Sequence, residues 1–337
     1  MGLIRNKKGV VFTILAIILT IFFTTIFSAR IERPIDSKVD VIEARVNILN
    51  TYMDDFFSYA EGAGSMTGYA ALRGVIQDLA ATRRYNSNFE AQYVNCTIFG
   101  NLTSTKACPG MVNQTLGYFL NSFNATGKDE LNIASKYKVN SVKVNQTTDS
   151  FSIELIMNIS FNITDDYANL SDTRVVVSSV TIAGLLDPLH LLNATYNRTI
   201  VKNTLNKKEG DWNYTDLQYL YYNRTYRSYK EGPSFIDRIK GQFPPAFPPS
   251  MYGIESIVNY TDPGVNYNAN DTMVDYLYWR NIRFKCRNPI GIGVEIVAIS
   301  NTAILPQKGS QYFQLDEVHR LSFNITSSDT AFTCSQT

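Results

Sequence analysis

The chain has 337 residues, with 31 basic and 30 acidic side chains, so its net charge of +1 creates no field that would draw in nucleic acid or a strongly charged substrate. Its 45% hydrophobic content is enough to bury a core, which excludes disorder as the state of most of the chain. The length beyond the first apolar segment, about 300 residues, suggests one or two domains.

Arg5, Lys7 and Lys8 precede Gly9, and nineteen uncharged residues follow from Val10 to Ser28 before Arg30. A helix of that length reaches about 28 Å, close to the ~30 Å hydrocarbon thickness of a bilayer. Residues 1–9 therefore read as a cytoplasmic basic leader and residues 10–29 as a transmembrane helix. Beyond it Arg30 and Arg33 are offset by Glu32 and Asp36, so the excess of positive charge keeps the N-terminus inside and the rest of the chain outside. Ordinary secretory cleavage is disfavoured, because the apolar run exceeds a signal-peptide core and Phe27 spoils the small-x-small pattern before Ala29.

Pro34 breaks the helical pattern, and Ser37-x-x-Asp40 predicts a capping box that restarts it. Val39, Ile42, Val46, Leu49, Met53, Phe56 and Ala60 then recur three and four residues apart, an apolar helical stripe. Glu61-Gly-Ala-Gly-Ser65 reads as an interruption, and Tyr69, Leu72, Ile76 and Leu79 as a second amphipathic helix ending near Arg83 and Arg84. Residues 30–85 are thus expected to form an extracellular helical stalk or αα-hairpin, its stripes packed on the chain's own sheet rather than on another copy.

Residues 86–135 follow as a disulfide-containing loop and helix connection. All four cysteines lie beyond the apolar segment, where an oxidising compartment would pair them, and four allow three pairings. Sequence proximity favours Cys96 with Cys108 and Cys286 with Cys334. Zinc is disfavoured, since no C-x-x-C occurs and His190 and His319 are the only histidines.

From 136 to 337 the pattern is that of a glycosylated, β-rich ectodomain. Phe151, Ile153, Leu155, Met157, Ile159, Phe161 and Ile163 occupy every odd position, with polar residues mostly between them, predicting one long half-buried strand. Further strands are expected at 137–144, 174–183 and 290–299, and the alternation of Leu321, Phe323 and Ile325 predicts another. One-sided alternation belongs to antiparallel sheets, and strands following helices without βαβ alternation give an α+β class.

Asn-x-Ser/Thr occurs fifteen times, at Asn95, Asn101, Asn113, Asn124, Asn145, Asn158, Asn162, Asn169, Asn193, Asn197, Asn213, Asn223, Asn259, Asn270 and Asn324. None precedes residue 95, the distribution expected of N-glycosylation on the outer side of a membrane.

A stretch with Tyr214, Tyr219, Tyr221, Tyr222, Tyr226 and Tyr229 leads to the Pro-rich run 243–249. It reads first as a packed connection and second as a sugar or partner surface. No HExxH, P-loop, GxGxxG or GxSxG pattern occurs. A Ser-His-Asp site would have to use His190 or His319, and the acid neighbours Asp54-Asp55 and Asp165-Asp166 would need burial to separate their pKa values. Asn266-x-Asn268-x-Asn270 echoes a calcium loop, yet Asp271 replaces the turn Gly and Leu277 the bidentate Glu. No catalytic, cofactor or metal site is expected.

Lys7-Lys8-Gly9 followed by Val10-Val11-Phe12-Thr13-Ile14 resembles the class III leader of archaeal type IV pilin-like surface proteins. The resemblance implies cleavage between Gly9 and Val10, leaving the apolar helix as an anchor and, in members that polymerise, as a filament core. Ile14 stands where bacterial pilins usually carry a Glu, which archaeal members often lack. Gly184-Leu-Leu-Asp-Pro188, Phe235-Ile-Asp-Arg-Ile-Lys-Gly241 and Tyr252-Gly-Ile-Glu-Ser256 also resemble segments of archaeal surface proteins with the same start, and imply no activity.

The expectation is a membrane-anchored, N-glycosylated cell-surface protein with a structural or adhesive role. It would not be an enzyme. Its partners would be the lipid bilayer and like subunits or other surface proteins. The alternative is an exported enzyme or ligand-binding receptor acting on envelope glycans; the receptor requires an aromatic-lined cavity near the Tyr cluster, the enzyme two carboxyl groups facing each other across a cleft.

Overall fold

The structure is a computed structural model that describes residues 17–24, 38–244, 246–259, 261–266, 271–282, 296–299 and 313–325. Its first long element, α1, is a single helix Lys38–Thr82 of 45 residues. After it come α2 (Phe89–Phe99), the short pair β1 (Asn101–Thr103) and β2 (Lys106–Ala107), and α3 (Leu116–Leu131). Three long strands, β3 (Ala134–Asn145), β4 (Ser152–Thr164) and β5 (Asn169–Thr181), then form an antiparallel sheet in sequence order.

The α+β class with antiparallel sheets is present, but the expected membrane-spanning helix is not seen among the described residues. Among the described residues no helix is long and apolar enough to cross a membrane. Of the expected span, residues 17–24 are described and helical. The long helix is α1, which carries Glu43, Arg45, Asp54, Asp55, Glu61, Arg73 and Asp78 along its length. The remainder of the expected span, Gly9, Val10 and the predicted cap at Ser37 lie outside the described residues.

Nor does Glu61-Gly-Ala-Gly-Ser65 make a turn. α1 runs through it unbroken, so the expected hairpin is one continuous helix. The glycines serve close packing: a Cβ on Gly64 would collide with Ser178, and one on Gly68 would come within 2.6 Å of both the Tyr93 hydroxyl and Val180. Small residues here let the helix axis approach the sheet, which offsets the helix cost of about 1 kcal/mol per Gly.

α1 follows β5 in the same direction. Arg45 pairs with Asp165 at 2.8 Å, Asp54 with Arg174 at 2.8 Å, the Glu61 carbonyl accepts from Ser178 at 2.7 Å, and the Arg83 guanidinium donates to the Leu191 carbonyl at 2.5 Å. Beneath it the odd residues of β4 from Ile153 to Ile163 are buried, while Asn158, Ser160, Asn162 and Thr164 face outward. Phe56 of α1 stacks on Phe161, centroids 3.7 Å apart. The apolar stripe is buried from Leu49 onward, whereas Val41, Ile42 and Ile48 remain exposed.

β4 pairs with β5 in unbroken register from Ser152↔Thr181 to Thr164↔Asn169, and with β3 through a shift between Val139 and Ser141. Beyond Thr181 the described elements are short: α4 (Pro188–Asn193), α5 (Tyr214–Asn223), β6 (Tyr226–Ser228), α6 (Phe235–Lys240), β7 (Ile254–Ser256), α7 (Asp275–Tyr278), β8 (Ile296–Ile299), β9 (Phe313–Asp316) and α8 (Glu317–Ser322). β6 pairs with β7 and β8 with β9, both antiparallel. They enclose a second core in which Trp212, Leu217, Tyr221, Ile257, Met273, Leu315 and Phe323 are buried.

The strand expected at Leu321, Phe323 and Ile325 is instead the end of α8 and the turn after it. Phe323 and Ile325 are buried, but Leu321 is 57% exposed, because the helix turns it away from them. Of the strand expected at 290–299, β8 is described and residues 290–295 are not. The Tyr-rich stretch is largely a packed connection: Tyr221, Tyr226 and Tyr229 are buried and Tyr222 is exposed.

Candidate functional site

Three sequence segments that share no motif meet in the C-terminal part of the chain. Asp187-Pro188 opens α4, Pro occupying the first turn and the Asp187 carboxylate capping Leu189 N at 2.9 Å. A capping box between Ser234 and Asp237 opens α6 and sets Arg238 on its inner face. β7 supplies Glu255 and Ser256, which alternation points to opposite sides.

Arg238, fully buried, donates from Nη1 to Asp187 Oδ2 at 2.7 Å and to Asp275 Oδ2 at 3.0 Å. Asp187 also accepts from the Tyr226 hydroxyl at 2.8 Å and sits 3.1 Å from His190 Nδ1, and Ser256 donates to Asp275 at 2.7 Å. Burial raises the Asp187 pKa, but Arg238 and His190 outweigh it and hold the group well below the usual carboxylate range. His190 moves the other way, because burial lowers its pKa more than Asp187 restores it. A neutral His190 donates from Nδ1 to Asp187, and its Nε2 has no hydrogen-bond partner among the described residues.

On the other side of β7, Glu255 lies opposite Arg227 in the β6–β7 ladder and accepts from its Nε at 2.6 Å. It also meets His319 Nε2 at 3.0 Å, and His319 Nδ1 meets both oxygens of Asp316 at 2.8 Å. Asp316 caps α8 through the His319 amide and accepts from Thr272 at 2.9 Å. Burial opposes charge on His319, but Asp316 and Glu255 prevail and raise its pKa to about 10. Both carboxyl groups are in turn lowered by His319, Glu255 also by Arg227, against the upward push of burial.

These geometries restrict the chemistry. A His319 that is charged and held at both nitrogens does not act as a base near neutral pH. Ser322 Oγ donates to the His319 carbonyl at 2.9 Å rather than to its ring, so no Ser-His-Asp relay is assembled around it. Asp187, His190 and Asp275 place ligand atoms within 4.8 Å of one another, the spacing of a metal site. Arg238 already bridges the two carboxylates, so a guanidinium holds the place a cation would take. Of the acid neighbours, Asp54 pairs with Arg174 and Asp165 with Arg45, each at 2.8 Å.

Two cavities flank Tyr229. One of about 690 Å³ is lined by Phe247, Pro248, Pro249, Tyr276, Leu277 and His319. The other, about 310 Å³, lies between Phe151, Lys202, Trp212, Lys230 and Met251.

The sequons fall mainly on the surface. Asn101, Asn113, Asn145, Asn162, Asn169, Asn193, Asn197, Asn213, Asn223 and Asn324 are exposed, and Asn95, Asn124 and Asn158 half-buried. Asn259 is the exception among the described ones: it is buried, and its Oδ1 accepts from Thr261 N and Oγ1 at 2.8 and 2.7 Å. In the folded chain its side chain is thus turned away from solvent. Asn193 and Asn324 spend their Nδ2 groups on backbone carbonyls, of Leu189 at 2.8 Å and of Gly210 at 2.8 Å. Cys96 and Cys108 are joined in a disulfide, both buried, with Cα atoms 5.5 Å apart. Cys286, Cys334, Asn268 and Asn270 lie outside the described residues.

Sequence reasoning weighed His190 and His319 and quoted the segments that hold Asp187, Arg238 and Glu255 without giving those side chains a role, and it did not single out Arg227 or Asp275. The helix-start signals at Asp187-Pro188 and Ser234-x-x-Asp237 were available; the pairing of their side chains across more than fifty residues was not. No known protein family matches the chain, and no curated protein or solved structure is significantly similar to it.

Proposed function

We propose that the chain is an exported, N-glycosylated surface protein with a structural or adhesive role, its pilin-like start marking cleavage between Gly9 and Val10. The observation that carries this reading is the placement of the sequons: they spread over the surface of both cores, while the Cys96–Cys108 disulfide is buried inside one. Exposed acceptors and an oxidised pair are what passage through a glycosylating, oxidising compartment requires. The buried ion networks add to it, since they hold their acids and histidines in fixed charge states. Intact-mass analysis and peptide mapping of the native protein test the reading. The expected mass exceeds the 38.0 kDa chain less its leader, with sugars at Asn101, Asn113, Asn145 or Asn169 and none at Asn259. An unmodified mass with reduced cysteines would sink it.

A binding role toward envelope glycans is a second reading. It is favoured by the cavities beside Tyr229, which lie at the end of the Tyr-rich stretch.

A further inference from the structure

The smaller cavity is distinguished by its charge. Its rim carries the ammonium groups of Lys202, Lys207 and Lys230 against the single carboxylate of Glu209, in a chain whose overall charge nearly cancels. Lys207 is neutralised from behind by Asp216 at 2.6 Å, and Lys230 is 3.4 Å from Glu209. Lys202 has no carboxylate partner among the described residues; its ammonium lies 5.2 Å from the centre of the Phe151 ring. Among the described residues, one cation at the mouth therefore lacks an acidic partner.

The floor is aromatic and fixed. Trp212 and Tyr229 are each 5% exposed or less, and the guanidinium of Arg227 sits 5.1 Å from both ring centres. Beside them the amide of Asn206 has no hydrogen-bond partner among the described residues, and it is held at the rim by a left-handed backbone at φ 45°.

From this arrangement we infer that the cavity binds one acidic sugar residue, a hexose ring carrying a carboxylate or sulfate group. A volume of about 310 Å³ lies at the lower end of the range for small-molecule sites. The anionic group pairs with Lys202 and Lys230, the sugar ring packs against the parts of Phe151, Trp212, Tyr229 and Met251 that line the cavity, and the hydroxyls meet Asn206. A bare inorganic anion would leave the aromatic floor unused, and a neutral hexose would leave Lys202 uncompensated. The inference rests on the second, glycan-binding reading, and it names the substrate class for it.

Titration calorimetry of the full-length glycoprotein with glucuronic acid, glucose and sodium sulfate as probes tests it. The expected result is saturable binding of glucuronic acid, at least tenfold weaker binding of glucose and of sulfate, and weakening with added salt. Lys202→Gln should lose at least tenfold in affinity for glucuronic acid, while Lys128→Gln on α3, remote from the cavity, leaves it unchanged. Equal binding of glucose, equal binding of sulfate alone, or no binding of glucuronic acid would each overturn the inference. Chemical-shift changes at the two Trp indoles give a readout independent of any variant; an unperturbed Trp212 with glucuronic acid bound would place the sugar elsewhere and likewise overturn it. Failure here leaves the intact-mass result, and hence the surface-glycoprotein reading, unaffected.

Discussion

Arg227 stands directly opposite Glu255 in the β6–β7 ladder, and its guanidinium is sandwiched between that carboxylate, 2.6 Å away, and the ring of Phe323, 3.8 Å from its centre. Because the pair is buried, removing one partner strands the other. Arg227→Met should destabilise the fold by about 3–5 kcal/mol, and Arg227→Met with Glu255→Leu by less than the sum of the two single changes. Urea unfolding of the three variants measures this; strictly additive losses would show that the pair does not act as a unit.

His319 sets a pH dependence. Its pKa rises from an ordinary 6.5 to about 10 on folding, so the protein binds its proton more tightly than the unfolded chain does. The stabilisation is complete below about pH 6.5 and is lost as pH rises through about 10, with a slope near 1.4 kcal/mol per unit. The charged groups around it are Asp316, Glu255 and Arg227, with Tyr229 and Tyr276 beside the ring. Stability measured between pH 6 and 10 should fall in the native protein and stay flatter in His319→Gln.

Two glycines two residues apart in α1 should respond with opposite sign. A Cβ at Gly62 meets nothing within 4 Å, so Gly62→Ala should stabilise by up to about 1 kcal/mol through helix propensity. At Gly64 the same methyl runs into Ser178 and Met157, and Gly64→Ala should destabilise by about 1–3 kcal/mol. Thermal melts of the two variants decide it, and equal effects would contradict the close packing of α1 on β5.

Replacing Cys96 and Cys108 together by Ala removes a cross-link between residues 12 apart in sequence. The expected loss is about 3 kcal/mol, with the first core loosened where Gly74 of α1 packs on the disulfide. Native-state hydrogen exchange should show the added opening in α2 and in the C-terminal third of α1; unchanged protection there would contradict the prediction.

Legibility varied with how local the determinant was. The alternation from Phe151 to Ile163 is a property of adjacent residues, and β4 follows it closely. Gly62 and Gly64 misled for the converse reason. A glycine that opens a turn and one that admits a neighbouring strand look alike until Ser178, more than a hundred residues away, is placed against it. Leu321, Phe323 and Ile325 alternate because a short helix ends among them, an accident that period-two reading cannot separate from a strand. The ionic core around β7 was invisible because each side chain is ordinary in its own segment; only tertiary folding gives Arg238 two carboxylates and His319 another two.

The alignment of α1 with β5 has a mechanical consequence. Its attachments, Arg45 to Asp165, Asp54 to Arg174, Glu61 to Ser178 and Arg83 to Leu191, are strung along one axis rather than gathered at one end. Tension delivered through the N-terminal end of the helix is shared among them in shear. Such an arrangement resists a pull along the helix better than a hairpin, which unzips one turn at a time.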